Sequence, residues 1–143
     1  MGEPFRHQLR VRWGECDPQG VVFNAHYLAY LDMNINELVR AALGSYQAMI
    51  DRGVDLVVAE AQLRFRAPAR FDDELTLEIA VTNLGNTSIR TAHRIRRDGD
   101  VVAEGTLRHV MVDPRTLKKK EIPDWLRQEL APWVIEASEE TAV

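Results

Sequence analysis

Ala25-His26-Tyr27-Leu28-Ala29-Tyr30-Leu31-Asp32-Met33-Asn34-Ile35-Asn36-Glu37-Leu38-Val39-Arg40-Ala41-Ala42-Leu43 is the long stretch of this chain whose apolar residues recur at helical spacing. Leu28, Leu31, Ile35, Leu38 and Ala42 fall on one stripe, the pattern of a helix that buries one face. Asn24 is placed to cap it, because its side-chain oxygen can accept from a free amide of the first turn. Gly44 is placed to stop it. A short second helix over 45–52 is expected to end at Gly53.

Outward from this helix the period changes to two. Before it, Leu9, Val11 and Trp13 alternate with Arg10 and Arg12, a short half-buried strand. After it, Val57, Ala59, Ala61, Leu63 and Phe65 alternate with polar or small residues, and Leu75, Leu77, Ile79 and Val81 repeat the pattern. Ile89, Thr91, His93 and Ile95 follow, then the run from Val101 to Val112. Gly85-Asn86 and Asp98-Gly99 mark tight turns, where glycine accepts the positive φ that a hairpin needs. Asp113-Pro114 ends the last strand, and Pro123 can open a final helix, Asp124 to Leu130, as its first residue. Strands and helices are segregated, which predicts an α+β domain: a curved five-stranded antiparallel sheet wrapped around the long helix. Five strands leave open edges, so pairing with a second copy is expected.

The chain has 143 residues, enough for one domain with its own core, expected over 1–135, and a small acidic tail over 136–143 that should fray. A net charge of −4 argues against broad nucleic-acid binding. Cys16 is the single cysteine, so no intrachain disulfide can form. The first twelve residues have no apolar run of a signal peptide, and no stretch approaches a membrane span. A cytoplasmic location is the expectation. His7, His26, His93 and His109 lie apart, without metal-ligand spacing, so no metal is expected.

Chemistry concentrates in the loop before the helix, Trp13-Gly14-Glu15-Cys16-Asp17-Pro18-Gln19-Gly20-Val21-Val22-Phe23-Asn24. A helix N-terminus offers free amides and about half a positive elementary charge. Such amides can hold the oxygen that becomes negative when a carbonyl is attacked. A nearby carboxylate can act as general base or attack the carbonyl itself, and Asp17 is the candidate. On spacing alone the stretch reads equally well as a tight turn in which Asp17 satisfies local amides. Cys16 invites a nucleophile reading but has no base paired to it in sequence; a small buried hydrophobe is the commoner role. Glu15 reads as an exposed understudy for Asp17. His93, on an apolar strand face, reads as a hydrogen-bonded core residue.

Gly14-Glu15-Cys16-Asp17-Pro18-Gln19-Gly20-Val21-Val22-Phe23, with Tyr27 and Asp32, resembles the active-site segment of the 4-hydroxybenzoyl-CoA thioesterase family of hot-dog proteins. Phe65-Arg66-Ala67-Pro68-Ala69-Arg70-Phe71-Asp72-Asp73 resembles that family's turn after the second strand, and the likeness runs to about Trp133. It implies a hot-dog fold and hydrolysis of an acyl-CoA thioester to free acid and coenzyme A. No cofactor is implied beyond the coenzyme A of the substrate. Asp17 matches the catalytic aspartate, and the Asn24 backbone amide matches the donor to the thioester carbonyl. Val22, Phe23, Tyr27 and Asp32 are implied to contact substrate, with Tyr30 either pocket wall or packing. In the segment 118–123, Lys120 is the position that would meet the coenzyme A phosphates; a solvated surface run is the alternative reading. The site is implied to form where two chains of a homodimer or homotetramer meet.

Some bacterial relatives have a histidine where this chain has Asn24, so a histidine-assisted step at that position is not available here. His26 is turned away by helix rotation. Glu37 is a fallback carboxylate, but the Gly-Gly loop that accompanies it in other hot-dog enzymes is absent. The rival to catalysis is a non-catalytic module that binds acyl-CoA. A hydratase on the same fold would need a loop histidine that this sequence does not have.

Overall fold

A computed structural model describes residues 2–135; the acidic tail at 136–143 lies outside the described residues. The elements are β1 (Phe5–Arg10), α1 (Asn24–Leu43), α2 (Tyr46–Asp51), β2 (Asp55–Phe65), β3 (Glu74–Leu84), β4 (Ser88–Arg97), β5 (Asp100–Val112) and α3 (Asp124–Leu130). The five strands form one antiparallel sheet in the order β1-β3-β4-β5-β2, with the long helix α1 packed on one face. This is the hot-dog architecture expected from the sequence.

Helix α1 buries Tyr27, Tyr30, Leu31, Asn34, Ile35, Leu38 and Val39. Leu28 is 38% exposed, so the buried stripe is rotated from the expected one toward the two tyrosines. Against it stand Leu75, Leu77, Ile79 and Val81 of β3, Ile89 and Ile95 of β4, and Leu107 and Met111 of β5. Each such side chain contributes about 1.5–3 kcal/mol through burial. The opposite face of the sheet is wet and carries ion pairs, among them Arg6–Glu78–Arg96 and Arg66–Glu104. Gly44, at φ 93°, ends α1 in a backbone conformation that side chains resist.

Four local expectations need correction. Strand β1 lies four residues earlier than expected at its start, and Trp13 sits in a 3₁₀ turn, Trp13–Glu15, instead of the strand. The parity was right, since Leu9 and Val11 are the more buried residues, but hydrogen bonds from β3 hold the earlier segment. Asn24 is the first helical residue and Phe23 takes the cap position without a side-chain bond. Pro123 is the cap of α3 and not its first residue. In β2 a bulge between Val58 and Glu60 shifts the register by one residue. Val58 opposes His109, while Ala61, Leu63 and Phe65 oppose Leu107, Gly105 and Ala103. The alternation therefore changes parity at the unpaired Ala59, so Val57 does not share the face of Ala61. Gly105 is required where β2 crosses β5, because a Cβ there would lie 2.1 Å from the Gln62 carbonyl oxygen.

The core under α1 is partly polar. His93 is 3% exposed, and its Nε2 lies 2.8 Å from the Thr91 hydroxyl. This is the hydrogen-bonded core role expected from its strand position. Burial first, then the neighbouring His109, push the His93 pKa down to about 3. Burial also lowers His109, against an opposing pull from Asp32. An unfolded histidine protonates near pH 6.5, whereas folded His93 stays neutral until far lower pH. Between those values the unfolded chain binds more protons, so stability is present above pH ~6.5 and falls as pH drops through the window. Stability read by urea unfolding and tryptophan fluorescence should fall by up to about 1.4 kcal/mol per pH unit from His93 alone between pH 6.5 and 4. His93→Gln, which cannot take that proton, should flatten the slope in this window by close to one proton.

Candidate active site

The loop between β1 and α1 folds into a small closed hairpin. Cys16 and Val22 form an antiparallel bridge, and the Asp17 amide donates to the Val21 carbonyl at 2.9 Å. The Gly20 amide returns to the Asp17 carbonyl at 2.9 Å, with Gly20 at φ 79°. Asp17 thus opens a four-residue turn at the hairpin tip. Its Oδ1 accepts from the Gln19 amide at 2.8 Å, so the local turn role is real. Among the described residues Oδ2 has no hydrogen-bond partner, and the side chain is half-buried.

Two contacts join this hairpin to the segment after β2. The Val22 amide donates to the Ala69 carbonyl at 2.8 Å, and Val21 bridges Arg70. The Ala69 amide in turn donates to the Tyr27 hydroxyl at 3.2 Å. The Phe23 amide reaches back to the Glu15 carbonyl at 2.9 Å and so fixes where α1 begins. The next amides, those of Asn24 and Ala25, have no acceptor among the described residues, as the first turn of any helix requires. They form the free positive end of a 20-residue helix.

A cavity of about 290 Å³ opens at this helix start, lined by Val22, Asn24, Tyr27, Phe65, Arg66 and Pro68 with Ala67. The structure therefore brings together Val22, Asn24 and Tyr27 of the residues singled out in the sequence. Phe23 is 48% exposed and does not line it. Asp32 lines two further cavities along the same helix, of about 380 and 460 Å³, the second shared with Tyr46, Asp55 and His109. Lys120 is exposed, and its Nζ donates to the Gly53 carbonyl at 2.8 Å. It lies beside the start of β2, whereas the cavity at Asn24 lies at the Phe65 end, roughly 33 Å away along eleven extended residues.

Some contributors could not be found from sequence. Arg66 and Phe65 enter the site from the far end of β2, and Phe65 stacks edge-on to Tyr27 at 5.3 Å between centroids. Only the sheet order brings them there. Glu15 was expected at the surface and is instead 6% exposed. Tyr30 is wholly buried, and its hydroxyl donates to Glu15 Oε1 at 2.8 Å, so it is packing and not pocket wall. Burial, then the bond to Glu15, raise the Tyr30 pKa well above its ordinary value. Among the described residues no group of three His, Cys, Asp or Glu is arranged to hold a metal, and no helix is long and apolar enough to cross a membrane.

Comparison with known proteins agrees with this fold. Residues 11–130 match the family described as the thioesterase-like superfamily. The chain is 32% identical over 120 residues to the acyl-CoA thioester hydrolase YbgC of Escherichia coli O157:H7, covering 83% of this chain and 90% of that one. It is 29% identical over 107 residues to 4-hydroxybenzoyl-CoA thioesterase of a Pseudomonas species, covering 71% and 76%. A crystal structure of a hypothetical protein from Aquifex aeolicus superposes with a TM-score of 0.84 at 25% identity, over 89% of this chain and 99% of that one.

Cys16 is poorly suited to be a nucleophile. Burial raises its thiol pKa, and the neighbouring Glu15, Asp17 and Asp73 charges raise it further. Its Sγ lies 3.8 Å from the Arg12 carbonyl. Alkylation by iodoacetamide at pH 8 should run several-fold slower than for free cysteine, read by mass spectrometry of the intact chain.

Proposed function

Because the chain belongs to the thioesterase-like superfamily, we propose that it hydrolyses an acyl-CoA thioester to the free acid and coenzyme A, with Asp17 as nucleophile or general base. Membership of the family makes it a thioester hydrolase. The observation that carries the finer reading is that two unused groups lie on one short stretch of chain, although Asp17 itself does not line the cavity at Asn24. Asp17 Oδ2 is free of partners among the described residues, and the hairpin that holds it runs directly into the free amides of Asn24 and Ala25. A thioester carbonyl seated against those amides gains stabilisation as negative charge develops on its oxygen. The carboxylate then either attacks the carbonyl carbon or takes a proton from water that does so. In both cases the thiolate of coenzyme A leaves and one water is consumed. Val22, Tyr27 and Phe65 give the reacting end an apolar wall, and Asp32 with the cavities beside it would receive the far end of the acyl group.

We also propose that the working unit is a homodimer or larger, with the site at the subunit boundary. Strand β2 is an edge strand that leaves Val57, Val58 and Phe65 between 38% and 53% exposed. Leu28 and Met33 of α1 are exposed beside it. An apolar open edge of this kind is unstable against pairing. Antiparallel pairing of β2 with its copy would bring the Lys120 end of one chain to the Phe65 end of the other. That arrangement supports Lys120 of a second copy as the contact for the coenzyme A phosphates. Arg66, which lines the cavity itself, is a further cation within reach of them.

Asp17→Asn should lower kcat by ~10² or more toward an acyl-CoA panel, measured by thiol release, while the thermal midpoint moves little. Tight acyl-CoA binding without turnover by the unmodified chain would instead favour a non-catalytic binding module. Sedimentation should give a dimer or tetramer, and Val58→Lys, which places a charge on the open edge, should shift it toward a 16.3 kDa monomer and lower activity in parallel.

A further inference from the structure

Glu15 is the buried charge that the proposed chemistry does not use. Its carboxylate is 6% exposed, yet burial of an ion is unfavourable unless it is fully paired. Both oxygens are taken. Oε1 accepts from the Arg12 backbone amide at 2.8 Å and from the Tyr30 hydroxyl at 2.8 Å. Oε2 accepts from Arg12 Nε at 3.0 Å and Nη2 at 2.7 Å. Burial alone would raise the Glu15 pKa, but these donors outweigh it and hold the carboxyl below its usual range. A carboxylate with every strong acceptor direction filled cannot serve as a base.

What it does instead follows from what it joins. Tyr30 is fixed in the core of α1, wholly buried. Arg12 is the exit of the first strand. The Glu15 main chain accepts the Phe23 amide, one residue before the free amide of Asn24. Asp17 is two residues further along the same backbone. The proposed base and the proposed oxyanion donor therefore both hang from Glu15, one on each side. The Arg12 guanidinium is 74% exposed, so its ion pair is screened by water and salt. The sheltered bonds from the Arg12 amide and the Tyr30 hydroxyl are the ones that resist displacement.

We propose that Glu15 is a positioning residue for thioester hydrolysis: clamped by Arg12 and Tyr30, it sets the spacing between the Asp17 carboxylate and the amides that start α1. This rests on the thioesterase reading of Asp17. Misplacement of reacting groups by about 1 Å can cost ~10²-fold in rate without changing what is bound.

The test uses Glu15→Gln, which turns an amide donor toward the Arg12 guanidinium, and Tyr30→Phe, which removes one oxygen and keeps the ring. Asp17→Asn is run beside them on the same acyl-CoA. The expected result is a kcat lowered at least tenfold in both variants, with KM within about threefold and the thermal midpoint within a few degrees. The double variant should fall little below the worse single one, because both changes loosen the same clamp on Glu15, one at Arg12 and one at Tyr30. A merely structural role would lower the fraction folded and leave kcat per folded molecule unchanged. Should Glu15→Gln fail to fold, Tyr30→Phe decides the question. Unchanged kcat in Tyr30→Phe, with Asp17→Asn inactive, overturns the positioning role alone. Full activity in Asp17→Asn overturns the thioesterase assignment of Asp17 and this proposal with it.

Discussion

A single helix has to fill the concave face of a five-stranded sheet, and the rest of the molecule is arranged around that demand. No second long helix is present among the described residues to share the work. Tyr30, Leu31, Ile35 and Leu38 therefore go fully into the sheet, and β3 and β4 alternate buried with less buried residues over most of their length to receive them. The apolar area so removed from water is the main favourable term of folding. It also fixes α1 as a rigid body, so that the free amides at its first turn point to one place. In the proposed mechanism a reacting carbonyl meets them there because the helix cannot turn away.

The same packing explains why the site loops are tied as they are. Burying large tyrosines brings hydroxyls into the core, and each must find a partner. Tyr27 accepts from the Ala69 amide, and Tyr30 donates to Glu15. Those two bonds anchor the loop after β2 and the loop before α1 to the same helix, one turn apart. Ala69 then accepts from Val22, closing a ring of contacts around the cavity at Asn24. The polar demands of core residues thus become the geometry of the site. The edge β2 is the place where this self-sufficiency ends. Val57, Val58 and Phe65 stay partly exposed along it, and a bulge between Val58 and Glu60 shifts its register.

Much of this was legible in the residues. The change from a 3.6 to a 2 period around Gly53 is a local property of side-chain order, and it marked the helix and four strands. Asp98-Gly99 was legible because a tight hairpin restricts backbone angles so strongly. Asp17 was legible as a candidate, though spacing alone left it a turn residue as readily as a base, and the structure shows that it does make the turn. The bulge in β2 was not legible, since alternation at Val57 and Ala59 looks the same whether or not a residue is inserted. Glu15 was misread for a similar reason. A glutamate between two glycine-containing turns looks solvated, and nothing local reveals that a tyrosine fifteen residues on will donate to it.

The sequence by itself determined the class of fold, the order of its elements and the loop where charge and helix start meet. These follow from periodicity, turn chemistry and helix dipoles, which act over a few residues. Only the tertiary structure decided which side of α1 is buried, that Phe65 and Arg66 join the cavity at Asn24, and that Lys120 lies at the other end of β2. It also decided that Glu15 is buried and bonded to Arg12 and Tyr30, and that Cys16 is half-buried with its sulfur near the Arg12 carbonyl. The physical reason is that burial and hydrogen-bond satisfaction depend on residues brought together from 15 to more than 40 positions apart. The local pattern of a chain carries no record of that distance.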